Sequence, residues 1–142
     1  MRALLDVNFL LALFQPDHVH NEPAQRWWTA HRAGGWASCP LTQNGFVRIV
    51  SQSRYPKPMA LTLAIELFAE QTIDTDHEFW PDDISVIDPQ RFNRAGILGP
   101  KQLTDVYLLA LAVKNGGRLA TFDQAIPLGA VRGAEQRHVA VI

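Results

Sequence analysis

The sequence predicts an α/β fold organised around a parallel sheet. Short apolar runs alternate with longer helical patterns, the rhythm of βαβ units and a parallel sheet. With 47% apolar and 19% charged residues over 142 positions, the chain has the length and composition of one packed domain spanning 1–142. No internal repeat, low-complexity tract or linker breaks it.

Arg-Ala-Leu-Leu at 2–5 reads as a first strand ending at Asp6. Residues 8–14 form a short, very apolar helix stopped near Pro16. Residues 21–33 form a second helix, with Asn21 as its N-cap, Pro23 in its first turn and Gly34-Gly35 at its end. Trp36–Cys39 is a second strand. A helix over 41–52 follows, with Phe46, Val47 and Val50 on one face. Residues 58–71 form another, whose Leu61, Ala64, Ile65, Phe68 and Ala69 fit the i, i+3, i+4, i+7, i+8 stripe. The acidic 74–83 stretch is expected to be a loop and Ile84–Ile87 a third strand. Pro100–Asn115 is apolar on nearly all sides and reads as a buried helix, terminated by Gly116-Gly117. Leu119–Thr121 and His138–Ile142 complete the sheet as its fourth and fifth strands.

The net charge of −1 conceals an uneven distribution. Eight acids and no Lys or Arg lie between Glu66 and Asp88. The rest of the chain holds all 13 basic residues and six acids. A polyanion can bind that cationic remainder; the alternative is a solvated acidic segment with scattered solubilising arginines. A single cysteine, Cys39, permits no internal disulfide, removes Cys-rich zinc sites and suggests a reducing compartment. Asp6 and Asn8 interrupt the apolar N-terminal stretch, and no run reaches the ~18–20 apolar residues of a membrane span. A soluble, cytoplasmic protein with no membrane association is expected.

In a parallel α/β sheet the strand-to-helix junctions share one edge, and ligands bind there. Asp6 and Asn8 follow the first strand, Gln43 opens the helix after the second, Asp105 lies early in the helix after the third, and Asp123 follows the fourth. Three acids and an amide therefore converge. Clustered carboxylates repel unless a cation sits among them, and oxygen-rich sites suit Mg²⁺ or Mn²⁺. Phosphodiester hydrolysis is the chemistry such a site performs, with basic neighbours holding the nucleic-acid backbone. Arg48, on the helix of Gln43, and Lys101, one turn before Asp105, lie nearest this edge; Arg54, Lys57, Arg91 and Arg94 are further candidates for phosphate contact. Each acid also has a structural reading. Asp6 can cap a helix, Asp105 can complement a helix dipole, and Asp123 can open a turn.

Four segments carry a family resemblance. Leu4–Leu13, Pro40–Arg48, Leu103–Ala112 and Leu119–Asp123 resemble, in order and spacing, the motifs of PIN-domain proteins, in particular VapC-like ribonuclease toxins of type II toxin–antitoxin systems. The resemblance implies a three-layer α/β/α sandwich with a five-stranded parallel sheet. It implies Mg²⁺- or Mn²⁺-dependent endoribonuclease activity on an RNA substrate, homodimerisation, and a cognate antitoxin partner. Asp6, Asp105 and Asp123 match the family's metal-holding acids, and Thr121 matches a hydroxyl position that helps orient the site. Gln43 departs from the pattern, because the second motif usually carries Glu. An amide can accept hydrogen bonds or touch a cation, but it is uncharged and cannot act as a base. Gln43 is thus either a tolerated variant, an engineered change, or the mark of a weakened or silent RNA- or antitoxin-binding module.

Overall fold

The computed structural model describes residues 1–74 and 76–142. Among them, five parallel strands form one sheet: β1 (Ala3–Leu5), β2 (Trp36–Ser38), β3 (His77–Phe79), β4 (Arg118–Thr121) and β5 (Val139–Val141), in the order β3-β2-β1-β4-β5. Five α-helices accompany them: α1 (Val7–Phe14), α2 (Asn21–His31), α3 (Pro40–Val50), α4 (Leu61–Gln71) and α5 (Leu103–Lys114). No helix among the described residues is long and apolar enough to cross a membrane.

Side-chain alternation along the strands creates three layers. Ala3 and Leu5 of β1, Trp36 of β2 and Ala120 of β4 face a core shared with α1, α3 and α4. Leu4, Ala37 and Leu119 face the opposite core, under α5 and the segments carrying Trp80, Phe92 and Val131. Phe14 packs edge-on against Trp36, Phe46 and Phe68, with ring centroids 5.5–6.3 Å apart. Such contacts add to the burial of large aromatic surfaces.

Four of the five expected strands stand where the sequence puts them; the third does not. Ile84–Ile87 forms no strand, and the sheet edge is instead His77–Phe79, inside the segment expected to be a loop. Residue 75 of that segment lies outside the described residues. Ile84 and Val86 still pack under the α5 core, so their apolar character reflects packing without strand pairing. An edge strand with one pairing partner tolerates polar residues such as His77 and Glu78. Asn21 is not an N-cap either. His20 occupies that position, while Asn21 begins α2 and donates through Nδ2 to Ala12 O at 2.8 Å.

The acidic segment is not a free solvated loop. Asp74 and Asp76 pair with Arg32, Glu78 with Arg2, and Asp83 with Lys114. It lies as a strap across the molecule and neutralises three of the cations counted above.

Candidate active site

The strand order reverses its direction of growth at β1 and β4, and such a switch point opens a crevice at the strand carboxyl ends. Asp6 follows β1 directly. Its N–H donates to Ala120 O at 3.1 Å, extending the ladder one residue, and its side chain is buried at 6% exposure. It sits at the N-cap of α1 but makes no side-chain cap hydrogen bond. Its Oδ2 accepts instead from the Thr121 hydroxyl of β4 at 2.9 Å. The same hydroxyl accepts from the Asp123 N–H at 3.0 Å. Thr121 thus ties the ends of the two central strands together and fixes Asp6 relative to the Asp123 turn. Asp123 Oδ1 accepts from Ala125 N at 2.8 Å, so the turn reading of this residue is also correct.

Asp105 enters from the first turn of α5. Its carboxyl is pushed up to about 7, first by burial, then by the charge of Asp6 and by a hydrogen bond and charge interaction with Asp123. Burial also raises Asp6, against the Thr121 hydrogen bond that lowers it and with the Asp123 charge adding. Of the three acids expected to converge, Asp6 and Asp123 therefore lie close enough for their charges to reach Asp105, and Asp123 for its charge to reach Asp6. Their donors are all oxygen, and a hard cation offsets both the burial and the neighbouring charges that disfavour the ionised Asp105. Among the described residues, no group of three or more His, Cys, Asp or Glu side chains is arranged to hold a metal ion. Mg²⁺ needs none, since it is commonly bound through one or two carboxylates and keeps several waters.

Gln43 belongs to a different network. It lies in the first turns of α3, where Nε2 donates to Ser38 Oγ at 3.0 Å; Ser38 Oγ in turn lies 2.8 Å from His77 Nε2 on β3. Ser38 is fully buried. Burial, then the Arg2 charge, hold the His77 pKa below its usual value. With His77 protonated at Nδ1, Nε2 accepts and the chain runs from amide to hydroxyl to imidazole; in the other tautomer Ser38 Oγ accepts from both neighbours. Gln43 and Arg48 also line a groove of about 630 Å³ between α3 and α4, with Leu61, Ile65 and Phe68 on its walls; none of the three acids lines it. Lys101 lies exposed in the 3-10 turn that leads into α5, and Asn8 lies exposed on α1.

Two positioning residues escaped the sequence reading. Asp82, in the acidic strap, accepts from Leu41 N at the start of α3 at 3.0 Å and from the Tyr107 hydroxyl of α5 at 2.7 Å. One carboxylate thereby links the helices that carry Gln43 and Asp105. Gly45 is the second: a Cβ there would come within 2.8 Å of Val7 Cγ2, so its absence lets α3 close on the start of α1 beside Asp6. Nothing in the acid-rich composition around Asp82 distinguishes it from its neighbours. A glycine in mid-helix is a visible signal of close packing.

A crevice of acids at the switch point of a β3-β2-β1-β4-β5 parallel sheet is the arrangement of a PIN domain, and the PIN domain model matches residues 3–130. The chain belongs to the PIN-domain family. It is 53% identical to Ribonuclease VapC44 of Mycobacterium tuberculosis over 142 residues, all of both chains. It is 44% identical to Ribonuclease VapC39 of the same organism over 135 residues, covering 94% of this chain and 96% of that protein. A chain in the crystal structure of VapBC2 from Rickettsia felis bound to a DNA fragment from their promoter shares the fold at a TM-score of 0.56 and 13% identity, covering 87% of this chain and 89% of that one.

Proposed function

We propose that this protein is a Mg²⁺- or Mn²⁺-dependent endoribonuclease, the toxin of a type II toxin–antitoxin pair, with residues 1–142 acting as one domain in the cytoplasm. The observation that carries this reading is the placement of Asp6, Asp105 and Asp123 at one sheet edge, where the charges of Asp6 and Asp123 reach Asp105, in a family whose members named above are ribonucleases. Asp6, Asp105 and Asp123 would hold the ion, with waters completing its shell. When bound, it supplies an activated water and charge neutralisation at the scissile phosphate. Thr121 orients Asp6 through its hydroxyl. Gln43 adds an uncharged acceptor, and its amide geometry is set by Ser38. Arg48 and Lys101 contact the phosphates of the RNA. The exposed Leu61, Leu63 and Ile65 of α4 offer apolar surface to an antitoxin or a second copy of the chain in a homodimer.

The test is RNA cleavage by purified protein with Mg²⁺, Mn²⁺ or EDTA, beside Asp6→Asn and Gln43→Glu. Cleavage that requires both the metal and Asp6 is expected. Gln43 favours one second reading, a silent binding module. Activity that appears only in Gln43→Glu would establish that reading, and cleavage persisting in Asp6→Asn would overturn the nuclease assignment.

A further inference from the structure

The strap neutralises Arg2, Arg32 and Lys114, while another group of cations makes no ion pair among the described residues. Phe92 and Val131 form an antiparallel bridge between two loops, and both are buried, at 1% and 4% exposure. Side chains alternate along paired backbone, so the flanking residues Arg91 and Arg132 face outward on the same side. Arg132 N donates to Arg91 O at 2.9 Å, which makes them directly opposed; such pairs have Cα atoms about 5.5 Å apart. Like charges directly opposed across paired strands destabilise. Among the described residues, neither has an ion-pair partner, nor does the exposed Arg94 on the next turn. The charge of Arg91 reaches Asp83, which pairs with Lys114, and Asp88 Oδ1 accepts from Gln90 N. Arg132 Nε donates to Pro89 O at 2.6 Å, which fixes the guanidinium and leaves its outer nitrogens free.

This arginine pair is connected to the acids by rigid contacts. Asn93 Nδ2 donates to Gly129 O at 3.2 Å, and a Cβ on Gly96 would meet the Ala130 backbone at 2.8 Å, so the two loops pack without a gap. Further along, the Gln102 side chain accepts from Leu98 N at 3.2 Å and donates to Ala125 O at 3.5 Å. Ala125 is bonded to Asp123, and Gln102 stands immediately before the helix of Asp105.

We infer that Arg91 and Arg132, with Arg94 beside them, form a phosphate clamp that holds the RNA backbone on the loop pair that continues, through Gln102 and Ala125, to the acidic crevice. This deepens the ribonuclease reading and rests on it for the identity of the polyanion. A phosphate between the two guanidiniums relieves their repulsion and accepts several hydrogen bonds in the planar geometry arginine offers. Such contacts are independent of base identity, so the clamp contributes affinity and register and leaves the choice of cleavage site to other surfaces.

The experiment measures binding of a fluorescein-labelled, mixed-sequence single-stranded RNA by anisotropy across a salt series. All proteins carry Asp6→Asn, so that the RNA stays intact. Arg91→Gln/Arg132→Gln is compared with Arg26→Gln, whose charge pairs with Glu22 on α2. Each lost phosphate contact to a single strand lowers the slope of log K against log salt by about 0.7, so the double variant is expected to lose about 1.4. Its affinity should fall on the order of tenfold or more, with the melting temperature unchanged or raised. Unchanged affinity and slope in the folded double variant would overturn the clamp. So would loss of poly-glutamate binding with RNA binding intact, which assigns the surface to an acidic protein. The binding result does not depend on cleavage, so failure of the unmutated protein to cut RNA would defeat the nuclease reading separately.

Discussion

The two sides of the sheet's carboxyl edge solve opposite problems. Between β1 and β4, Asp6, Asp105 and Asp123 are held close enough to repel, and Asp105 stays half-protonated near neutrality. Between β2 and β3, a run of neutral groups, Gln43, Ser38 and His77, is satisfied by its own hydrogen bonds. The first side is electrostatically unfinished and gains from a cation. The second is complete as it stands. Electrostatic frustration confined to one side of a crevice marks where the ligand charge belongs. The neutrality of Gln43 keeps it from spreading to β2.

The largest expected effect falls on the charged side. Asp105→Asn should lower RNA cleavage about 10²–10³-fold or more, as removal of an electrostatic catalytic group does. Because it relieves repulsion, it should also stabilise the metal-free protein, by about 1 kcal/mol once the half-exposed carboxyl is discounted for solvent screening. A loss of metal-free stability, read from the denaturation midpoint, would mean that the acids do not strain the fold. Added Mg²⁺ should raise the melting temperature of the unmutated protein, with about 2.7 kcal/mol available at a hundredfold excess over Kd, and should do so far less in Asp105→Asn.

Asp82 joins the two sides, so its removal tests whether they communicate. Asp82→Ala strips the partner from both the α3 amide and the Tyr107 hydroxyl. A cost of about 1–3 kcal/mol is expected, together with reduced cleavage. Tyr107→Phe should reproduce a smaller part of both losses. Full activity in a folded Asp82→Ala would show that the helices keep their spacing unaided. Gly45→Ala sharpens the same question on α3. Intrinsic helix propensity favours Ala by about 1 kcal/mol, while overpacking against Val7 costs about 1–3 kcal/mol. A net loss of stability is expected, and a net gain in urea titration would show that α1 yields.

The smallest effect belongs to the neutral side. His77 has a depressed pKa in the folded protein, so its contribution to stability is complete above pH 6.5 and is lost as pH falls through the folded value. The unmutated protein should therefore lose stability relative to His77→Gln on going from pH 7.5 to 5. Equal pH slopes in the two proteins would remove the imidazole from the relay.

The central strands, the helices and the three acids were legible in the sequence because each rests on a local pattern: an apolar run, a helical stripe, a polar residue just beyond a strand. The edge strand was not. His77-Glu78-Phe79 has no strand pattern of its own, and its polar groups are satisfied by distant residues, Ser38 and Arg2. Ile84 and Val86 carried the apolar signal because they pack under α5. The pairing of the acidic strap with Arg2, Arg32 and Lys114 was equally invisible, since ion pairs at this sequence separation leave no periodicity. Gln43 was visible as a departure, but its anchoring through Ser38 to His77 needed the β2–β3 pairing to be seen.

The hydrogen bond from Thr121 to Asp6 spans 115 positions of the chain. Its geometry has a consequence for biosynthesis. The N-terminal strand and most of the helices emerge from the ribosome before Asp105 and Asp123 have been added, and β4 must then insert beside β1 to bring the acids together. Contacts of such long separation form late. A nascent chain therefore carries no assembled acidic centre until β4 and Asp123 have left the ribosome and paired with β1.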